Sequence, residues 1–282
     1  MTDKYAVIGN PIAHSKSPQI HKMFAEQTGQ DISYEAIEAP LDGFVATVER
    51  LRREGYKGCN VTVPFKLEAF KLATQHTVLA DIARAVNTLK FDGDIIHGNN
   101  TDWTGLDQDI RLNLGITLDN KRVLLMGAGG AANGVSLPLA QAGAKITIVN
   151  RDVDKAQALA NLTSNKVQDS ANSHASVKTR VFGCGYDEIV GQQFDVVINA
   201  TSSSLSDEMP PLSPSIFAPG ALAYDLMYGR ETQFMKFARA NGAAVVSDGL
   251  GMLVKQAAES FLWWRNIRPE TAPVIIKLRG KQ

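Results

Sequence analysis

Lys66 and Asp102 are the pair best suited to chemistry in this chain. Lys66 closes the segment Asn60-Val61-Thr62-Val63-Pro64-Phe65-Lys66, and Asp102 closes Asn99-Asn100-Thr101-Asp102. A lysine in the first turn of a helix opposes the helix dipole, so its placement calls for a purpose. Most lysines are nevertheless surface charge, and Asp102 would also serve as a plain helix N-cap. Around the pair stand hydroxyl and amide side chains. Ser15 and Ser17 lie in Gly9-Asn10-Pro11-Ile12-Ala13-His14-Ser15-Lys16-Ser17-Pro18, where Ser17-Pro18 reads as an N-cap and first-turn pair. Two hydroxyls and free N–H groups at a helix start also suit a carboxylate. His14 reads as a solvated loop residue. Alternation places Asn60, Thr62 and Pro64 on one strand face, and Asn87, inside Ala85-Val86-Asn87-Thr88, is a polar strand residue that needs a partner. The inventory suits reduction of a polyhydroxylated cyclic acid: hydroxyls for a carboxylate, amides and hydroxyls for ring alcohols, and a Lys/Asp pair for the proton. As hydride reaches a carbonyl carbon, charge grows on oxygen, and an adjacent ammonium stabilises it and donates the proton. No metal is required, because the lysine fills the electrophilic role.

A second cluster concerns a nucleotide. The run Val123-Leu124-Leu125-Met126 leads into Gly127-Ala128-Gly129-Gly130-Ala131-Ala132, and a helix-period segment follows. Gly127, Gly129 and Ala132 satisfy GxGxxA: a glycine for the tight turn, one for close approach of backbone N–H groups to a pyrophosphate, and a small residue for helix–strand packing. A glycine cluster alone is often only a turn, but a strand before, a helix after and another strand ending about twenty residues on favour the dinucleotide. That next strand ends at Asn150-Arg151, where an NAD enzyme usually carries an acidic residue on the ribose. The Arg151 fork, with Lys155 four residues on, suits a 2′-phosphate and points to NADP. The plainer reading has Asp152 capping the next helix and Arg151 solvated.

The elements that must position these residues alternate between short β-branched runs and helix-period segments, the pattern of βα units and a mostly parallel sheet. Strands are expected at 5–9, 33–39, 58–63, 85–91 and 94–99, the last two joined by the Asp92-Gly93 turn. Helices are expected from Ser17, over 41–53, from Pro64 and near Asp102. A second series has strands at 122–126, 145–149, 194–199 and 221–226, a helix over 153–162 and a polar surface loop between Thr163 and Thr179. From Gly249 an apolar helix runs through Leu262, Trp263 and Trp264, followed by a turn at 268–273 and a short helix. Acidic and basic residues balance at 29 each, so no net field draws in nucleic acid or an anionic membrane. Cys59 and Cys184 stand in unrelated contexts, which argues against a disulfide framework or zinc site and for a cytoplasmic location. Neither a signal peptide nor an apolar run of membrane-spanning length is expected.

Taken together and in order, the motifs resemble the shikimate dehydrogenase family over nearly the whole chain. GNPIAHSKSPQIH is similar to the family's opening substrate loop, NVTVPFK to its catalytic lysine segment, AVNT and NTD to two further substrate elements, GAGGA to its cofactor loop, NR to its 2′-phosphate clamp and DGLGMLVKQA to its returning helix. The resemblance implies an α/β fold of two domains. An N-terminal α/β substrate domain would take residues 1–102 plus 249–282, and a Rossmann doubly wound NADP-binding domain 103–248, with a deep cleft between them that closes on ligands. It implies reversible reduction of 3-dehydroshikimate to shikimate with NADP(H), on the route to chorismate and the aromatic amino acids. Carried over residue by residue, Ser15 and Ser17 would bind the substrate carboxylate. Asn60, Thr62, Asn87, Asp102, Tyr228 and Gln256 would surround the ring, with Lys66 as acid/base. Gly127, Ala128, Gly129, Gly130, Ala131, Asn150, Arg151, Asp152, Lys155, Leu226 and Gly249 would contact the cofactor. The implied partner is a small-molecule substrate, with neither nucleic acid nor membrane, and the assembly is a homodimer or a monomer. The chain departs from the family at Trp103, where glycine is usual, and at Asn99, Arg84, Asn133 and Asp152. Two other readings stay open: a quinate/shikimate dehydrogenase of relaxed NAD/NADP preference, and a non-catalytic sensor on the same scaffold. Intact Lys66 and Asp102 and the lack of a basic stripe stand against the sensor.

Overall fold

A computed structural model of the chain describes residues 2–171, 181–201 and 208–280. They divide into two compact units, Met1–Asp109 with Gly251–Gln282, and Ile110–Leu250. The first unit begins β1 (Asp3–Gly9), α1 (Ser17–Thr28), β2 (Ile32–Glu38), α2 (Phe44–Arg53), β3 (Tyr56–Val61), α3 (Lys66–Leu72), β4 (Gln75–His76), α4 (Val78–Ala83), β5 (Thr88–Asp92), β6 (Ile95–Asn99) and α5 (Asp102–Gln108). Its six-stranded sheet has the order β2-β1-β3-β5-β6-β4. β1 lies between β2 and β3, and its run Tyr5 to Gly9 is buried throughout, as a strand covered on both faces requires. β1, β2 and β3 are parallel, whereas β5 runs antiparallel to β3 and pairs with β6 as the hairpin expected at Asp92-Gly93. Ile8, Phe44, Leu51, Phe65 and Leu89 are among the fully buried side chains of this unit's core.

The second unit holds β7 (Arg122–Met126), α6 (Gly130–Gln141), β8 (Lys145–Val149), α7 (Val153–Ala171), β9 (Val181–Cys184), β10 (Phe194–Asn199), β11 (Phe217–Asp225), α8 (Gln233–Ala240) and β12 (Val245–Ser247). Its strand order is β12-β11-β10-β7-β8-β9, every pair parallel. That is the doubly wound dinucleotide-binding order, whose reversal lies between β7 and β10. The chain then returns to the first unit as α9 (Leu250–Arg265) and α10 (Ala272–Arg279). There Trp264 stacks on Tyr5 at 4.6 Å between ring centroids and donates its indole N–H to the Leu89 carbonyl at 3.0 Å.

Several local expectations change. The polar loop expected between Thr163 and Thr179 is helix α7 as far as Ala171, and 172–180 lie outside the described residues. The cause is that Leu159, Ala160, Thr163 and Val167 recur at helical spacing and are buried, so the polar residues between them form only the outer face. The strand expected from Ala85 begins at Thr88, because Val86 N–H turns away from the sheet to the Lys66 carbonyl at 3.0 Å, and Asn87 joins the ends of β3 and β6 only through single bonds to Val61 N–H at 2.8 Å and the Asn99 carbonyl at 3.0 Å. β4, α4, β9 and β12 are additions that the pattern does not announce. Each has six residues or fewer, too short for a periodicity to register.

Candidate active site

Lys66 is the first residue of α3 and Asp102 the first of α5, two helices that begin where β3 and β6 have ended. The Lys66 ammonium donates to Asp102 Oδ2 at 2.6 Å, and both side chains keep partial exposure, 22% and 12%. A cation at a helix start is disfavoured, but here a carboxylate in the first turn of the neighbouring helix offsets it. Asp102 is not an N-cap: Thr101 holds that position, without a side-chain cap bond. The Asp102 carboxylate turns instead to Lys66 and, through Oδ1, to the amide of Asn87 at 2.8 Å.

Asn87 is the centre of the network. It is buried, its amide group also lies 3.0 Å from Thr101 Oγ1 and 3.3 Å from Gln256 Oε1, and its carbonyl oxygen accepts from Thr101 N–H and Thr88 Oγ1. Gln256 reaches it from α9 because Gly105 of α5 carries no side chain: a Cβ there would lie 2.7 Å from that of Gln256. Asn60, expected among the ring ligands, is also bonded to the strand beside it. Its amide donates to the Asn87 carbonyl, Thr88 and Ser260 at 3.0–3.1 Å, and its oxygen accepts from the Tyr34 hydroxyl at 2.7 Å. These bonds take up both N–H donors, so Asn60 buttresses the backbone of Asn87 while its oxygen, bonded to Tyr34, keeps a second lone pair.

Behind Asn60, Tyr34 stacks on His21 at 4.1 Å, and burial drives the His21 imidazole down to about 3 and the Tyr34 hydroxyl well above its usual range. Thr62 is half-buried on the loop after β3, which meets the loop after β1 through Asn10 N–H and the Val63 carbonyl at 3.1 Å. Ser17 starts α1 but does not cap it. Lys16 occupies that position, and Ser17 N–H instead donates to Ser15 Oγ at 3.2 Å. His14 is exposed.

Ser260, Thr88 and Thr101 are parts of this network that sequence reasoning missed. Ser260 lies one helical turn after Gln256, and that i, i+4 spacing was the available signal. Two departures from the family pattern find local roles. Asn99 accepts from Thr77 Oγ1 at 2.7 Å and from Asn100 N–H at 2.8 Å, and Arg84 sits in the left-handed region at φ 51 with its guanidinium 5.3 Å over the Phe70 ring. No grouping of three or more metal-ligating side chains occurs among the described residues, and no helix among them is long and apolar enough to cross a membrane.

In the second unit, the turn after β7 needs Gly127, at φ 102 and with the Ala200 carbonyl 3.0 Å from where a Cβ would stand. Gly129 and Gly130 have open space on that side, so the start of α6 presents bare backbone N–H groups, a surface that fits a pyrophosphate. Ala128 and Ala131 flank these glycines, and Asn133 donates to the Gly129 carbonyl at 3.1 Å. Past β8, Asn150 donates to the Asp152 carbonyl at 3.1 Å, Arg151 pairs with Glu208 at 2.7 Å and Lys155 with Asp152 at 3.0 Å. Asp152 also accepts from Lys155 N–H at 3.3 Å, so it caps α7 as well. Leu226 follows β11, Tyr228 is half-buried two residues on, and Gly249 donates to the Met227 carbonyl at 2.8 Å.

Residues 7–89 match the profile described as the shikimate dehydrogenase substrate binding domain, and residues 110–206 that of shikimate / quinate 5-dehydrogenase. A protein of Methylobacillus flagellatus named shikimate dehydrogenase (NADP(+)) is 55% identical over 279 residues, covering 99% of each chain. Among solved structures, an Ael1 enzyme from Pseudomonas putida superposes with a TM-score of 0.87 at 48% identity, covering 98% of each chain. The shikimate 5-dehydrogenase of Thermus thermophilus, solved with NADP(H) and shikimate, gives 0.85 at 29% identity over the full length of both.

Proposed function

On the premise that the chain belongs to the shikimate dehydrogenase family, we infer that it catalyses the reversible NADPH-dependent reduction of 3-dehydroshikimate to shikimate, a step toward chorismate and the aromatic amino acids. The observation that carries this reading is the Lys66 ammonium 2.6 Å from Asp102 Oδ2, with the other carboxylate oxygen held by Asn87.

NADPH, when bound, supplies the hydride. Lys66 sits against the carbonyl oxygen, stabilises the charge that grows there and gives it a proton; in the reverse direction it removes that proton from the alcohol. Asp102 holds the ammonium in place, and its spare lone pairs accept from a neighbouring ring hydroxyl. Thr62, Asn87, Gln256 and Tyr228 take the remaining ring groups, and Ser15 and Ser17 the carboxylate. Gly127 to Ala131 hold the pyrophosphate; Asn150, Arg151 and Lys155 hold the ribose and its 2′-phosphate, and Leu226 and Gly249 complete the cofactor site. A cytoplasmic location is supported by Cys59 and Cys184, both buried free thiols. Sedimentation of the purified protein decides between homodimer and monomer.

A second reading, relaxed NAD/NADP preference with activity on quinate, is favoured by one feature: both cations of the 2′-phosphate clamp are already paired with carboxylates, Glu208 and Asp152. The test is the initial rate of oxidation of shikimate and of quinate, each with NADP and with NAD. Turnover of shikimate with NADP far above the other three combinations supports the first reading. Comparable rates with NAD or quinate support the second, and no turnover with any combination overturns both.

A further inference from the structure

We infer that Asp225 is a positioning residue for the cofactor-side loops of the second unit, acting through a buried hydrogen-bond chain whose polarity, with an amide at position 199, a carboxylate at this position completes. The inference rests on the cofactor site proposed above. Asp225 ends β11, Asn199 ends β10 and Thr232 caps α8, and their exposures are 0%, 1% and 0%. Asp225 Oδ2 accepts from Thr232 Oγ1 at 2.6 Å and from Asn199 Nδ2 at 3.2 Å, while Oδ1 accepts from Met227 N–H at 3.0 Å.

The direction of each bond is set from outside the trio by backbone groups that can only donate. Asn199 must aim its oxygen at Thr201, whose N–H and hydroxyl donate to it at 3.2 and 2.7 Å, and this leaves its NH2 facing Asp225. Thr232 accepts from Met235 N–H at 3.2 Å, which leaves its own proton facing Asp225. Met227 presents a third donor. Three donors therefore converge on residue 225, which must accept at each of these three contacts, and an ionised carboxylate has the lone pairs to do so. An amide of the same shape would set an N–H against an N–H in a fully buried site.

The segments fixed in this way are those assigned to the cofactor. Leu226 N–H donates to the Asn199 carbonyl at 3.0 Å, and Gly249 N–H to the Met227 carbonyl at 2.8 Å. Ala200, next to Asn199, bonds to Met126 at 2.9 Å and places its carbonyl against Gly127. One carboxylate thus links the turn after β7, the loop after β10 and the loop carrying Leu226 and Tyr228, all at the carboxyl ends of parallel strands where such sheets bind ligands.

The test compares wild type, Asp225→Asn and the exchange Asn199→Asp/Asp225→Asn in the full chain, reading direct NADP binding by protein fluorescence together with KM for NADP and for shikimate. In the exchange the new amide can donate to the carboxylate now at position 199 and to Thr232 Oγ1, whose hydroxyl turns from donor to acceptor at this one contact, while Thr201 and Met227 keep acceptors. The inference expects Asp225→Asn to weaken NADP binding and raise its KM on the order of tenfold, with KM for shikimate within about twofold and the exchange recovering most of the loss. Unchanged NADP binding in Asp225→Asn overturns it. So does a parallel rise in both KM values that the exchange leaves uncorrected, since that is general loosening of the fold. If Asp225→Asn does not fold, the exchange decides: wild-type NADP binding supports the inference, and failure to fold or bind overturns it. Should wild type bind NADP but not oxidise shikimate, the functional reading fails, while the NADP comparison still tests Asp225.

Discussion

At the scale of single residues, the site sorts by what each side chain must be chemically. Lys66 is paired yet partly exposed, as a group that exchanges a proton with substrate has to be. Lys66→Ala is expected to lower kcat by about 10²- to 10⁴-fold, the usual contribution of a positioned acid or base, while shikimate still binds; retained turnover in initial-rate assays would remove the mechanism. Arg151 shows the opposite arrangement, an exposed cation tied to a carboxylate at 2.7 Å. In the proposed clamp Glu208 would compete with the 2′-phosphate for Arg151, so Glu208→Gln should lower KM for NADP by about two- to threefold, the modest worth of an exposed pair. KM for NAD should stay unmoved, because NAD brings no phosphate to that place. A common change in both constants would show that Glu208 acts on something other than the clamp. Ser15, Ser17, Thr62 and Lys66 could be singled out from the sequence because strand-to-helix junctions gather ligand contacts. The internal hydrogen bonds of Asn60 could not, since the groups that a strand amide meets depend on which strand lies beside it.

At the scale of elements, the contact between α5 and α9 places Gln256 beside Asn87. A methyl group on Gly105 would meet Gln256 Cβ and the Met252 carbonyl, both at 2.7 Å. Gly105→Ala is therefore expected to destabilise the fold by about 1–3 kcal/mol in urea unfolding, as overpacking does. It should also raise KM for shikimate, because the wedge moves Gln256. Wild-type stability together with wild-type KM would show that the two helices are not held apart by size at this point. The helices and strands legible in advance are those with a long apolar period. α7 runs on past Leu162 because spacing outweighs polar composition there: Thr163 is buried and donates to Ser136 at 3.1 Å. Short edge strands such as β9 and β12 leave no period to read, since pairing with a neighbour defines them.

At the scale of the whole molecule, the chain is neutral, with 29 charges of each sign, and it builds two units each with its own buried core. Its acid sensitivity is expected to come in part from His21, which is fully buried among Tyr34, Phe24, Phe261 and Trp264, with the Asn60 side chain opposing the effect of burial on its ring. Neither ring nitrogen has a hydrogen-bond partner among the described residues. Burial lowers its folded pKa from 6.5 to about 3. Below pH 6.5 the unfolded chain takes up a proton that the folded chain refuses, so stability falls as the pH drops from about 6.5 toward about 3, by at most about 1.4 kcal/mol per pH unit. Between pH 7 and pH 5, wild type should lose about 2 kcal/mol more than His21→Phe in urea unfolding. Parallel losses in the two proteins would mean that His21 does not carry this dependence.

The sequence by itself determined the two βα series, the dinucleotide turn at Gly127 and the places where strands hand over to helices, because backbone periodicity and glycine geometry are local properties. It also brought Lys66 and Asp102 forward as a pair. Only the tertiary structure decided that Asn87, and not Asn60, faces Asp102, that Gln256 and Ser260 return to it from the other end of the chain, and that Arg151 rests on Glu208. It alone brought Asn199, Asp225 and Thr232 into one hydrogen-bond chain. The physical reason is that a buried polar group is defined by its partners. Those partners lie tens to hundreds of residues away in sequence, so their identity follows from strand order and helix packing, which no local pattern contains.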